Sequence, residues 1–207
     1  MSSQFLLLIA LTVVVLGLVL APKEETLLGA GSFPIVGQPA PSFSLPGLTE
    51  TWSVGEHLGK PMILAFWTTW CGACKHDLVI LSEFSEFYGE EVAVVGICPE
   101  HWSQVPKIVT ELQITVPILH DAGARVTRSY QLSAGLRFPF TVFVDSSGVV
   151  TGVWGFAIRD LEHLLELLAR ARIYLPPPEG QGPTSLRRLP GESSGLGAAC
   201  WDTVLFT

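Results

Sequence analysis

The sequence predicts an α/β domain: a mixed central sheet flanked by helices, with a β-hairpin extension on its N-terminal side. Three observations carry this expectation. Two apolar runs, Met62–Trp67 and Val92–Ile97, are too short for buried helices and read as central parallel strands. A helical pattern separates them. Two further apolar stretches, Phe140–Asp145 and Val149–Trp154, are joined by Ser146-Ser147-Gly148, which is a hairpin signal. The order is βαβ, a further helix, then ββα, so one sheet must hold both parallel and antiparallel neighbours.

The elements follow in chain order. Phe43–Leu45 and Thr51–Val54 flank a Pro46-Gly47 turn and form the predicted N-terminal hairpin. The helix after the first central strand runs from about Gly72 to Tyr88, with Leu78, Leu81, Phe84 and Tyr88 on one face and Gly89 as its stop. Ser103–Leu112 reads as a helix that tolerates Pro106 in its first turn. Val116–Leu119 is a short extended piece, and Ala124–Tyr130 a short helix. Arg159–Tyr174 closes the domain as an amphipathic helix, its apolar stripe drawn through Leu161, Leu164, Leu165 and Leu168.

Flanking segments complete the organisation. The chain has 207 residues, 48% hydrophobic and only 15% charged, with a net charge of −7. Its mean hydropathy is +0.44. This excludes a disordered chain and a basic nucleic-acid binder. A polytopic membrane protein is also excluded, because only Phe5–Ala21 is long and free of charge. Those 17 residues would span roughly 25 Å as a helix. Residues 1–21 are therefore expected to be an uncleaved signal-anchor. A cleaved signal peptide is the alternative, though Pro22 would follow the cut. Residues 22–35 read as a linker, 36–175 as the folded domain and 176–207 as a flexible Pro/Gly-rich tail.

The chemistry centres on Thr68-Thr69-Trp70-Cys71-Gly72-Ala73-Cys74, where the first central strand passes into a helix. Residues i and i+3 on one helical turn lie about 5–6 Å apart, within disulfide reach. Cys71 falls at the helix N-terminus, where free N–H groups favour a thiolate. It is the expected attacking thiol, and Cys74, one turn further in, the resolving thiol. Zinc is disfavoured because no second pair of ligands exists, so no metal is expected. Gly72 would let a partner chain approach closely.

At these residues the sequence resembles the thioredoxin superfamily, in its TlpA/ResA-like branch of membrane-anchored thiol–disulfide oxidoreductases. The matching stretches are Val36–Leu45, Gly59-Lys60-Pro61, Phe66–Cys74 and Phe138–Gly148. The resemblance implies a thioredoxin fold and an oxidoreductase whose only redox group is the Cys71–Cys74 disulfide, with no other cofactor. It implies a cis Pro139 facing the cysteines, with Trp70, Gly72, Ala73, Phe138 and Pro139 forming the substrate groove. It places a carboxylate, Asp77, three residues past the second cysteine. That group would tune Cys74 or move its proton; the alternative is a solvated first-turn acid. The implied partners are disulfide-bearing exported proteins, apocytochrome c among them, and a membrane thiol reductant. The implied place is the membrane, single-pass, with the domain on the extracytoplasmic side. No nucleic acid is expected.

The chain departs from its relatives at Ala65, Ala73, Val79 and Phe140. These replace, in order, the buried Asp of thioredoxins, a Pro between the cysteines, a helix-kinking Pro and the Thr after the cis-Pro.

Other candidates are weaker. Cys98, just past the second central strand, is either a third redox thiol or a small buried hydrophobe. Cys200, in the tail, is a candidate disulfide partner for Cys98 or for another chain, and the sequence does not choose between them. His76 neighbours the site and reads as solvated. Two alternative functions remain at this stage. One is a peroxiredoxin-like peroxidase, echoed by Thr68-x-x-Cys71. The other is a non-enzymatic, membrane-tethered interaction module.

Overall fold

The computed structural model describes residues 34–176 except His101, Ser133 and Ala134. The expected anchor at 1–21, most of the linker, the tail beyond Pro176 and Cys200 lie outside the described residues. Among the described residues no helix is long and apolar enough to cross a membrane.

Seven strands and four α-helices are described, together with 3₁₀ turns at Gly55–His57 and Trp102–Gln104. The strands are β1 (Ser44–Pro46), β2 (Thr51–Ser53), β3 (Met62–Phe66), β4 (Ala93–Cys98), β5 (Ile118–His120), β6 (Phe140–Val144) and β7 (Val150–Trp154). The helices are α1 (Gly72–Tyr88), α2 (Val105–Glu111), α3 (Arg125–Gln131) and α4 (Leu161–Arg170). The main sheet has the order β5-β4-β3-β6-β7. Strands β3, β4 and β5 run parallel, and β6 and β7 are antiparallel to their neighbours. The mixed sheet is thus present, with β1 and β2 as a separate antiparallel hairpin.

Every residue of β3, β4 and β6 is buried, which is why their sequences are continuously apolar rather than alternating. Side chains still divide by parity between the two faces. Met62, Leu64 and Phe66 of β3 pack in one cluster with Phe43, Leu45 and Trp52 of the hairpin region and with Val126 and Tyr130 of α3. The opposite face meets α1. There Gly96 of β4 has no side chain because there is no room for one. A Cβ would lie 2.6 Å from Ile118 Cδ1, 3.0 Å from Leu78 Cδ2 and 3.3 Å from Trp67 Nε1.

The N-terminal segment is stitched across the domain. Isolated bridges pair Pro39 with Val149, next to β7, and Gly47 with Leu119 of β5, so it meets both outer strands of the sheet. Ile35, assigned above to the linker, is only 2% exposed and belongs to the core.

The closing helix needs two corrections. It runs from Leu161 to Arg170, shorter than 159–174, because Asp160 caps it: the carboxylate accepts from His163 N–H at 2.8 Å. Its buried face is His163, Leu164, Leu167 and Leu168, whereas Leu161 and Leu165 are only half-buried. The Leu-rich sequence offers two overlapping stripes, and packing selects the one that continues into Ala171.

Candidate active site

The sheet brings two chain segments to one edge. Strand β3 ends at Phe66, and Trp67–Trp70 carry the chain into α1. Strand β6 begins at Phe140, which is the antiparallel partner of Phe66. The Phe138-Pro139 peptide, which is cis, therefore enters at the edge where β3 delivers the cysteines. The exit of β4 reaches the same edge, since Ile97 pairs in parallel with Phe66.

Cys71 is the N-cap of α1, and its sulfur accepts from Cys74 N–H at 3.1 Å. That contact and the helix N-terminus favour negative charge on this sulfur once the pair is reduced. Cys71 and Cys74 form a disulfide, S–S 1.99 Å, with Cα atoms 5.3 Å apart. Cys71 is 7% exposed and Cys74 1%, so the first cysteine is the less deeply buried of the two. Gly72 and Ala73 between them are exposed, and nothing lies within 4 Å of where a Gly72 Cβ would stand.

Of the residues expected to form a groove, two meet. Trp70 is 69% exposed and meets Phe138 edge to face, with ring centroids 6.3 Å apart. Trp67, by contrast, is a buried core residue whose indole lies against Gly96 of β4.

Asp77 lies on α1 one turn beyond Cys74, so both side chains share a helix face. It is 3% exposed, which removes the solvated first-turn reading. One carboxylate oxygen accepts from Ile158 N–H at 2.9 Å, and the other is buried without a hydrogen-bond partner. Burial pushes the carboxyl up from 3.8 to about 7, against the lowering pull of the Ile158 N–H. Its ionisation therefore changes near neutral pH, where thiol chemistry operates.

Cys98 is fully buried and free among the described cysteines. Burial pushes its thiol up to about 11. It stays protonated at neutral pH and behaves as a small hydrophobe. His76 is exposed on α1.

Sequence reasoning missed Glu100. It follows β4, and its carboxylate accepts from Thr69 N–H at 3.0 Å, Thr69 Oγ1–H at 2.7 Å and Trp70 Nε1–H. No local pattern marks it, because its partners lie 30 and 31 residues away.

A thioredoxin fold with a Cys-x-x-Cys disulfide at its strand-to-helix junction defines a thiol–disulfide oxidoreductase. The sequence profile of the AhpC/TSA family matches residues 36–153, more than half of the chain, and the chain belongs to that family. It is similar to the thioredoxin-like protein YneN of Bacillus subtilis, 30% identical over 56% of this chain and 69% of that protein. It is also similar to the thiol-disulfide oxidoreductase ResA of Oceanobacillus iheyensis, 27% identical over 56% of this chain and 62% of the relative. The chain thus spans about two thirds of the length of these relatives. Among solved structures, a putative thiol:disulfide interchange protein DsbE from Chlorobium tepidum superposes with a TM-score of 0.57 at 23% identity. That match covers 66% of this chain and 96% of the other, and supports the fold.

Proposed function

We propose that this oxidoreductase reduces disulfides of exported proteins while tethered to the membrane by residues 1–21. The observation that carries the reading is the pairing, in one chain, of a charge-free N-terminal segment with a helix-capping Cys71 that is less deeply buried than its partner Cys74. Stable client disulfides form and persist outside the reducing cytoplasm. Apocytochrome c, whose haem site is itself a Cys-x-x-Cys-His, is the substrate class favoured by the family resemblance.

On this reading the reaction runs in two exchanges. The reduced Cys71 thiolate attacks one sulfur of the substrate disulfide; that S–S bond breaks, and the other substrate sulfur leaves as a thiolate. Cys74 then gives its proton to Asp77, and its sulfur attacks Cys71 Sγ. The mixed disulfide breaks, and the second substrate thiolate departs. Two electrons have passed to the substrate, and the Cys71–Cys74 disulfide has formed. A dithiol partner at the membrane must reduce it again.

The peroxidase alternative has less support. Thr68 Oγ1 is buried without a hydrogen-bond partner, so it does not orient the Cys71 sulfur. Cys74 is already within bonding reach of that sulfur, which suits exchange.

The tether and its side are tested together. Alkaline carbonate is expected to leave the full-length chain in the membrane pellet. After mild reduction, a membrane-impermeant maleimide added to spheroplasts is expected to label Cys71. Release into the supernatant, or labelling only after lysis, overturns this arrangement.

A further inference from the structure

We propose that Glu100 is a positioning residue that fixes the Trp70 indole as one wall of the substrate groove, and so sets affinity for polypeptide disulfides. The inference rests on the oxidoreductase reading above and adds a residue that acts through another.

Trp70 directly precedes Cys71, yet it is 69% exposed. Core packing therefore does not hold its ring. One hydrogen bond, to Glu100, and one ring contact, with Phe138, do. Glu100 Oε1 accepts the indole Nε1–H, while Oε2 accepts both the Thr69 backbone N–H and the Thr69 hydroxyl. One carboxylate thus ties two consecutive residues of the cysteine loop to the exit of β4. Hydrogen bonds to an ionised acceptor are stronger than neutral ones, and two oxygens serving three donors fix direction as well as distance. The same indole meets Phe138, next to Pro139, with the two rings nearly perpendicular.

The ring therefore links the cysteine loop to the Phe138-Pro139 loop, hydrogen-bonded to Glu100 and in contact with an aromatic. An exposed, rigid Trp of this kind gains by being covered, and only a chain lying along the groove covers it. A small disulfide reaches Cys71 without needing the indole. Preorganisation by Glu100 should therefore be felt by polypeptide substrates and little by small ones.

The test uses the full chain and its Glu100→Ala, Trp70→Phe and doubly substituted variants. Each is assayed with insulin as the polypeptide disulfide and with 5,5′-dithiobis(2-nitrobenzoate) as the small one. Trp70→Phe keeps an aromatic ring and removes the N–H. Glu100→Ala is expected to lower the ratio of kcat/KM for insulin over the small disulfide by about tenfold, carried by KM more than kcat. Trp70→Phe is expected to lower it similarly, and the double variant no further.

Equal losses on both substrates, accompanied by a lowered Tm, would mean a purely structural role and overturn the inference. So would an unchanged ratio in Glu100→Ala, or fully additive losses in the double variant. If the unsubstituted protein exchanges with neither substrate, the oxidoreductase reading itself fails, and the inference fails with it.

Discussion

Replacing Cys71 with Ser is expected to reduce turnover of a protein disulfide by roughly a thousandfold or more, whereas Cys74→Ser stops the reaction one step later. The difference follows from position. Cys71 is the helix cap, the more exposed sulfur of the pair and the acceptor of the Cys74 N–H. A Ser hydroxyl there is not ionised at neutral pH and cannot attack. Cys74 sits at 1% exposure, out of reach of an incoming disulfide but bonded to Cys71. Its Ser variant keeps the attacking thiolate and loses only the group that resolves the mixed disulfide. Intact-mass measurement of Cys74→Ser with a disulfide peptide should therefore show a covalent adduct on Cys71. The Cys71→Ser protein should show none. Adducts on Cys74 in the Cys71→Ser protein would reverse the assigned order of attack.

The second large effect is expected at Asp77. Its carboxyl titrates at about 7 in the fold, against 3.8 ordinarily, because burial penalises the charge more than the Ile158 N–H supports it. Below pH 4 the group is protonated in both the folded and the unfolded chain. Between pH 4 and 7 the unfolded chain ionises while the folded chain keeps its proton, so stability falls as pH rises. The loss amounts to about 4 kcal/mol and is complete above the folded-state pKa. Asp77→Asn retains an acceptor for Ile158 N–H and carries no charge. It should match the parent protein near pH 4 and exceed it in stability at pH 8, as read by urea unfolding. The resolving step should also lose its rate dependence around pH 7 in the Asn variant. Parallel stability curves at both pH values would show that folding does not raise the Asp77 carboxyl above its ordinary range.

Most of the architecture was legible because buried parallel strands need continuous apolar runs, and Met62–Phe66 and Ala93–Cys98 supply them. The cysteine pair was legible because its spacing is local and its place at a strand-to-helix junction has few uses. What escaped the sequence depends on distant partners. Asp77 looks like an ordinary first-turn acid until Ile158, 81 residues away, folds over it. Glu100 looks like a loop carboxylate until the parallel pairing of β3 and β4 sets it beside Thr69 and Trp70. The face of α4 was misdrawn because leucines occupy two adjacent stripes, and only the surrounding core distinguishes them. The cis Phe138-Pro139 bond has no local signature beyond the proline itself, and it came from the family resemblance.

The central claim is that Cys71 and Cys74 form a reducing couple, and its equilibrium reduction potential tests that most directly. Titration of the full chain against a glutathione or dithiothreitol redox buffer is expected to give a single two-electron transition near −270 mV, as for a reductant. A transition near −120 mV would make the protein an oxidant and contradict the proposed direction, and the absence of any two-electron transition would contradict the couple itself.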